Sequence, residues 1–473
     1  MALADQHSIA RRLPLPLAGA MAAALLAAEP AAAHGLVQRA DLPIPEEWFI
    51  RASAIVLAVS FLALAVLWPK PKLERPRWRP LPRPFDRALC SRALRIACGT
   101  IGVLLLALTI ASGYAGPPGP QDNFAPTFVY VVFWVGLAVV SLFFGNVFRA
   151  FNPWLALGRL LPRARRPYPE RLGHWPAVLG LGAFVWMELA SGSGEQPRNV
   201  ATAALIYTVL TLGAMAVYGA EEWADRGEAF SVYFGLLARI SPFEARDGRA
   251  GVRPPLSGLT GVTPLPGLVA LLAVMIGSTT FDGLSQGALW RDADAELTRF
   301  FESLGVSLDT TATLSATIGL LIAVVAVAVF YVLGIAGART VKGSPAAERL
   351  RGGFVHSLVP IAVVYVLAHY LTFLIFQGQA MAYLASDPLG QGWDLFGTAD
   401  SAIDFSVISQ NATWYAQVGA VVLGHVAALT LAHDRALTLY SDGRTAVRSQ
   451  VWMLLIMIGF TTLALWLLMS ANG

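Results

Sequence analysis

The sequence predicts an all-α membrane protein, a polytopic bundle of about ten transmembrane helices behind a cleavable signal peptide. Three observations carry that prediction. The 473 residues are 56% hydrophobic and 14% charged, where soluble domains run to roughly a quarter charged, and mean hydropathy is +0.59. The apolar residues come in runs of about seventeen to twenty-five, the length that crosses a bilayer as one helix. The basic residues, finally, fall on alternate loops, as the positive-inside rule requires.

Taken in order, Arg11 and Arg12 precede an apolar run that ends AEPAAAHG. That is a basic region, an apolar region and an Ala-x-Ala cleavage site, so residues 1–33 read as a secretory signal peptide, with an uncleaved anchor helix as the competing reading. Cleavage after Ala33 leaves His34 as the mature N-terminus, outside the cytoplasmic membrane. An N-terminal histidine offers an amine and an imidazole together, a chelate that suits copper. A single helical domain, 34–473, then follows, with spans near 52–68, 96–114, 128–148, 175–191, 200–218, 262–281, 312–336, 354–376, 413–431 and 451–470. With the mature N-terminus outside, the inner loops 69–95, 149–174, 219–261, 338–353 and 432–449 hold 27 Lys and Arg, and the exterior segments hold five. Both termini are then outside, in a bacterial inner membrane. The pI near 9.1 reflects these inner loops, and no nucleic-acid partner is implied.

The first inner loop, PKPKLERPRWRPLPRPFDRALCSR, is expected to be too Pro-broken for a helix and to lie along anionic headgroups. The second and third contain RAFNPWLALGRLLP and FSVYFGLLARISPF, which read as short interfacial helices with aromatic anchors. Cys90 and Cys98 both fall near the inner end of one span and read as small buried hydrophobes, neither a disulfide nor a zinc site. A Walker-type glycine-rich phosphate loop, HExxH and His-x-His are all absent from the sequence.

The chemistry gathers around the eighth span, FVHSLVPIAVVYVLAHYLTFLIFQGQ. His356 and His369 stand about 20 Å apart along a helix and about 220° apart around it, so they belong to different environments. Pro360 cannot donate to the His356 carbonyl, and a kink is expected there. His369 shares a face with Tyr365, Thr372 and Phe376, a face too polar for lipid. The other outer-half polar residues are Glu188 on the fourth span, Ser278 and Asp282 on the sixth, and Asn411, Trp414 and Gln417 on the ninth. Asp387 and His34 stand in the exterior segments.

Glu188, Asp282 and His369 are therefore expected to converge on one outer-leaflet site, their polar atoms about 10 Å apart or less. Two carboxylates and an imidazole, with His34 as a further candidate, can hold a divalent metal ion whose bound water is a nucleophile. The same groups can relay protons or bind a transported cation. In the inner half, His425 is expected to hydrogen-bond a neighbouring helix, and His433-Asp434-Arg435 to form a solvated cap or local ion pair.

The segments AHGLVQRADLPIPEEW, FNPW, STTFDG, HSLVPIAVVYVLAHY with QGQAMAYLASDPLG, and GHVAALTLAHDRAL resemble the bacterial membrane proteins called fenitrothion hydrolases, over nearly the whole mature chain. The resemblance implies an integral membrane enzyme that hydrolyses organophosphate triesters to a nitrophenol; it assigns no catalytic residues. Triesters are apolar and partition into bilayers, which suits a pocket at membrane depth. Two classes of function stay open at this point: a hydrolase built on Asp282, His369 and Glu188, and a transporter or copper-handling membrane protein using the same residues.

Overall fold

The computed structural model describes residues 46–74, 78–162 and 166–471, so the signal peptide read over 1–33 and the terminus read at His34 lie outside the described residues. The chain is a multi-pass bundle of apolar helices, and nine helices among the described residues are long and apolar enough to cross a membrane. It opens with α1 (Glu46–Leu67) and α2 (Arg92–Ala115), whose first turn is capped by the Ser91 hydroxyl accepting from the Leu94 amide at 3.1 Å. The helical run α3 (Phe124–Phe144) has a π-helical middle over Phe128–Gly136. Next come α4 (Trp175–Leu189), α5 (Pro197–Tyr218) and the short apolar helix α6 (Ala229–Ala238). Pro264, Pro266 and the left-handed Gly267 (φ 86°) hold back the start of α7 (Leu268–Ser285). The amphipathic α8 (Ala288–Ser303), with no buried residue, leads into α9 (Leu308–Ala338).

The eighth predicted span is not one helix. A 3₁₀ turn over Val355–Ser357 precedes α10 (Leu358–His369); Tyr370 interrupts it, and α11 (Leu371–Gln377) continues beyond it. The disturbance expected from Pro360 is present, since the 3₁₀ turn containing His356 separates the helix Ala347–Phe354 from α10; the break at Tyr370 is a second one that no proline explains. The chain finishes with α12 (Gln410–Leu439), α13 (Gly443–Ser449) and α14 (Val451–Ala471). α10 and α12 pack side by side, and Gly424 is what lets them meet: a Cβ there would stand 2.3 Å from the Val364 methyls.

α4 has only 15 residues, about 22 Å of helix. Its first end touches the start of α7 through the His174 amide on the Pro266 carbonyl (2.7 Å). Near its other end, the Trp186 indole donates to Thr317 Oγ1 (2.9 Å). The loops sort into two ends. At one end β1 (Arg79–Pro80), β2 (Phe243–Arg246) and β3 (Arg249–Val252) form a three-stranded antiparallel sheet in the order β1-β3-β2, joining segments 69–95 and 219–261.

Several local expectations are corrected. The Pro-rich first loop does form a helix, Arg83–Leu89, because Pro82 and Pro84 fall at its cap and first turn. α6 is not interfacial: Phe230, Tyr233 and Phe234 are buried against Phe133, Trp134, Phe148 and Phe184. Trp154 of the second loop joins the same aromatic cluster, stacked on Phe230. Of the two cysteines, Cys98 is buried as expected and Cys90 is exposed.

Neither inner-half histidine reading holds. His425 bonds within its own helix, Nδ1 to the Val421 carbonyl at 2.8 Å. His433 and Asp434 are fully buried rather than solvated. Asp434 accepts from the Trp68 indole (2.7 Å) and from the Lys72, Leu73 and Glu74 amides (2.6, 3.0 and 3.1 Å). Arg435 pairs with Glu74 at 2.6 Å, and burial, its largest influence, raises the Glu74 carboxyl above its usual range against that guanidinium.

Candidate functional site

The break at Tyr370 builds the site. On an unbroken helix adjacent residues point about 100° apart, so His369 and Tyr370 would not address one partner. With α10 ending at His369 and Tyr370 outside helical geometry (φ −95°, ψ 13°), both reach Asp282 on α7. His369 Nε2 lies 2.9 Å from Asp282 Oδ2, and the Tyr370 hydroxyl donates to the same oxygen at 2.6 Å. The two rings meet edge to face, 4.7 Å between centroids. Backbone groups freed at a helix break need partners at membrane depth. The buried Gln417 of α12 supplies one by donating to the Ala368 carbonyl at 2.7 Å.

Around Asp282, the α7 hydroxyls turn back onto their own helix. Thr280 bonds the Ile276 carbonyl at 2.8 Å, and Ser278 and Thr279 both reach the Met275 carbonyl at 3.4 Å. None of them competes with His369 for the carboxylate.

His369 is then held by one nitrogen and open at the other. An ionised Asp282 makes Nε2 the protonated nitrogen, which leaves Nδ1 a bare acceptor. A cavity of about 40 Å³ lies alongside, bounded by Thr279, Thr280, Gly283, Tyr365, His369 and Val421 among others. That is room for a few water molecules. A Cβ at Gly283 would stand 3.7 Å from His369 Nδ1, so the missing side chain leaves the space beside that nitrogen. His369 and Asp282 are partly exposed, to 23% and 18%. The expected face is real in part, since Tyr365 and His369 line one cavity; Tyr365 itself donates to the Phe460 carbonyl at 3.1 Å.

Glu188 ends up near this pair without joining it. It sits in the last turn of α4, half-buried, and makes no hydrogen bond or ion pair among the described residues. It is within electrostatic range of Asp282, Tyr370, Tyr130 and Tyr233. The turn ELASGSG folds back over the helix end: the Ser191 hydroxyl donates to the Met187 carbonyl at 2.6 Å, and Tyr130 pins Gly194 at 2.8 Å. A Cβ at Gly194 would lie 2.0 Å from the Met187 carbonyl oxygen, so the turn needs glycine.

Among the described residues no three His, Cys, Asp or Glu side chains gather closely enough to hold a metal ion. Asp282 and His369 supply two donors, fewer than the three that catalytic zinc sites usually draw from protein. His34 lies outside the described residues. Asp387 is occupied in its own turn, accepting from the Gln391 and Gly392 amides at 2.9 and 2.7 Å.

Two residues of the site escape a reading of the sequence. Tyr370 does because helical spacing turns it away from His369. Tyr233 does because α6 reads as a headgroup helix; its hydroxyl is buried without a partner among the described residues, within electrostatic range of Glu188 and Tyr370. A signal for Tyr233 was present: AFSVYFGLLA carries no charge, and an interfacial helix needs a polar face. In comparisons with known proteins, no family model, no curated protein and no solved structure matches this chain.

Proposed function

We propose that the protein is a membrane-embedded hydrolase of apolar esters, in which Asp282 and His369 activate a water molecule. Organophosphate triesters are the substrate class that the sequence resemblance implies. The observation that supports this reading is the orientation of His369, fixed through Nε2 by Asp282 and free at Nδ1 beside a cavity. In the reaction, Nδ1 takes a proton from water as the water oxygen attacks phosphorus. The phosphorus–aryloxide bond breaks, and the leaving nitrophenolate carries away the electron pair. Asp282 stabilises the imidazolium that forms, and the Tyr370 hydroxyl fixes the carboxylate. Glu188 is placed to adjust the charge of the site. A divalent cation would add Lewis-acid help at the phosphoryl oxygen. Among the described residues Asp282 and His369 are the pair that would hold it, and metal analysis of the purified protein tests whether one is bound.

A second reading, a transporter, has its own support: the helix broken between α10 and α11 lies beside acidic side chains, an arrangement that transporters use at the bilayer midplane. Purified protein in detergent separates the two, because no membrane sides remain. Release of nitrophenol from fenitrothion, absent in Asp282→Asn, supports the hydrolase. No turnover in detergent, together with counterflow of a substrate in sealed vesicles, sinks it in favour of transport.

The reading includes ten crossings, with α4 as the short one, in a bacterial inner membrane with the basic loops inside. A signal peptide over 1–33 and a mature His34 belong to it as well, and N-terminal sequencing of membrane-extracted protein decides both.

A further inference from the structure

α1, α12 and α13 border a second, half-open cavity of about 410 Å³, which shares only α12 with the cavity beside His369. Its walls include Ala65, Trp68, His433, Leu437, Arg444 and Val447. We propose that this cavity binds the headgroup of an anionic phospholipid, with Arg444 on the phosphate and the imidazole of His433 on a headgroup hydroxyl.

The case starts from which charges are already committed. Three acids stand near the cavity. Asp434 is satisfied by four donors, and Glu74 is paired with Arg435 at 2.6 Å. Asp442 lines the cavity but caps α13, accepting from the Thr445 amide at 3.0 Å and the Thr445 hydroxyl at 2.7 Å. The cations are not committed in the same way. Arg444 is exposed and makes no ion pair among the described residues, and the same holds for Lys70. The Lys72 ammonium sits 4.2 Å from the centroid of the Trp68 ring, which walls the cavity. Cations without an ion-pair partner among the described residues therefore stand beside the cavity, and an anionic group is the ligand that would pair with Arg444.

His433 gives a second, independent pointer. The residue is fully buried, its Nε2 is 3.1 Å from the Trp68 carbonyl, and its Nδ1 has no hydrogen-bond partner among the described residues. Nε2 must carry the proton that the carbonyl accepts, so Nδ1 is a bare acceptor in the neutral ring. A bare acceptor takes a hydroxyl donor, not a phosphate oxygen. Phosphate for Arg444 plus hydroxyl for His433 describes a glycerol-type headgroup, as in phosphatidylglycerol; a choline headgroup has no such donor. Ala65, Leu437 and Val447 supply the apolar wall along which the lipid glycerol and chains would run. The volume suits a headgroup, since small-molecule pockets start near about 300 Å³. The place suits a lipid, because α1 and α12 both end here.

The test uses the full chain in detergent with dioleoyl phosphatidylglycerol, the matching phosphatidylcholine, or inorganic phosphate, read by native mass spectrometry and by melting temperature. Phosphatidylglycerol should stay bound and raise the melting temperature, and phosphatidylcholine should do neither. Arg444→Gln should weaken phosphatidylglycerol binding about fivefold or more. Arg339→Gln, an exposed arginine at the inner end of another helix, should leave it unchanged. Val447→Trp, which fills the cavity without altering charge, should also abolish the retained lipid. Equal binding of the two lipids, or an equal loss in Arg339→Gln, overturns the site. Wild-type binding by Val447→Trp does so too. A full stabilisation by inorganic phosphate alone would assign the cavity to a soluble anion and overturn the lipid.

Discussion

Asp282 Oδ2 accepts from His369 and from Tyr370 at once, and the two contacts make different predictions. Asp282→Asn keeps the shape but loses the charge that supports an imidazolium, and the amide can turn its N–H₂ toward the ring. Turnover should fall by roughly 10² to 10⁴-fold, the usual span of general-base catalysis, with little change in melting temperature. Tyr370→Phe removes one donor and should cost far less. The cavity can be tested without touching either charge. Gly283→Ala places a methyl at ordinary contact distance from His369 Nδ1, 3.7 Å, so it should fold. Gly283→Val adds two more carbons and should exclude the water, lowering kcat while the protein stays intact by gel filtration. Equal activity in Gly283→Val and wild type would remove the cavity from the mechanism. At this scale the sequence was informative about Asp282 and His369, because ionisable groups are costly at membrane depth and spacing placed both in the outer half. It could not show Tyr370, whose role exists only because the helix breaks between adjacent residues.

The elements show the same division. Long apolar spans were legible because their physics is local to each segment, whereas α6 and the segment His433–Arg435 were misread because their partners lie far away in sequence. Asp434 is 360 or more residues from each of its donors, Trp68 to Glu74. Nothing in periodicity reports such a contact. Asp434→Ala leaves an indole and three backbone amides without their acceptor and should destabilise the protein by about 3 kcal/mol or more. Faster tryptic cleavage after Lys72 would locate the damage in this loop; unchanged cleavage would mean that the carboxylate does not hold it. The turn after Ser386 has a comparable lock in Asp394. The Ala399 amide, then the Ser386 hydroxyl, hold its carboxyl below the usual range. A lowered folded value contributes order that is present above the ordinary carboxylate value and lost as pH falls through the lowered one. Amide exchange at Ala399, corrected for intrinsic rate, should therefore accelerate only below about pH 4.

Across the whole molecule, two independent features assign the loops to the same two sets. Charge is the first: the five basic loops carry 27 Lys and Arg against five in the exterior segments. Contact is the second, and hydropathy plays no part in it. Segments 69–95 and 219–261 share a sheet; Arg149 pairs with Glu221 and Asp225 across segments 149–174 and 219–261. Asp434 clasps residues 72–74, and the Tyr440 hydroxyl reaches the Ala338 carbonyl at 3.0 Å. All five basic loops are linked in this way. The other ends have their own links, among them Tyr114 to Thr202 at 2.8 Å and the Gln379 amide to the Asp404 carbonyl at 3.1 Å. Segments 149–174 and 219–261 meet at one end although α4 and α5 both lie between them, so a crossing by α5 implies a return crossing by the 15-residue α4. Cys90 offers a native reporter of which end is inside, since it is exposed and Cys98 is buried. In sealed right-side-out vesicles a membrane-impermeant maleimide should leave Cys90 unlabelled, and permeabilisation should expose it. A cysteine placed at Ser401, in the exterior segment, should label in both states. Labelling of Cys90 in sealed vesicles would reverse the assignment of all five loops together, because their mutual contacts allow none of them to change sides alone.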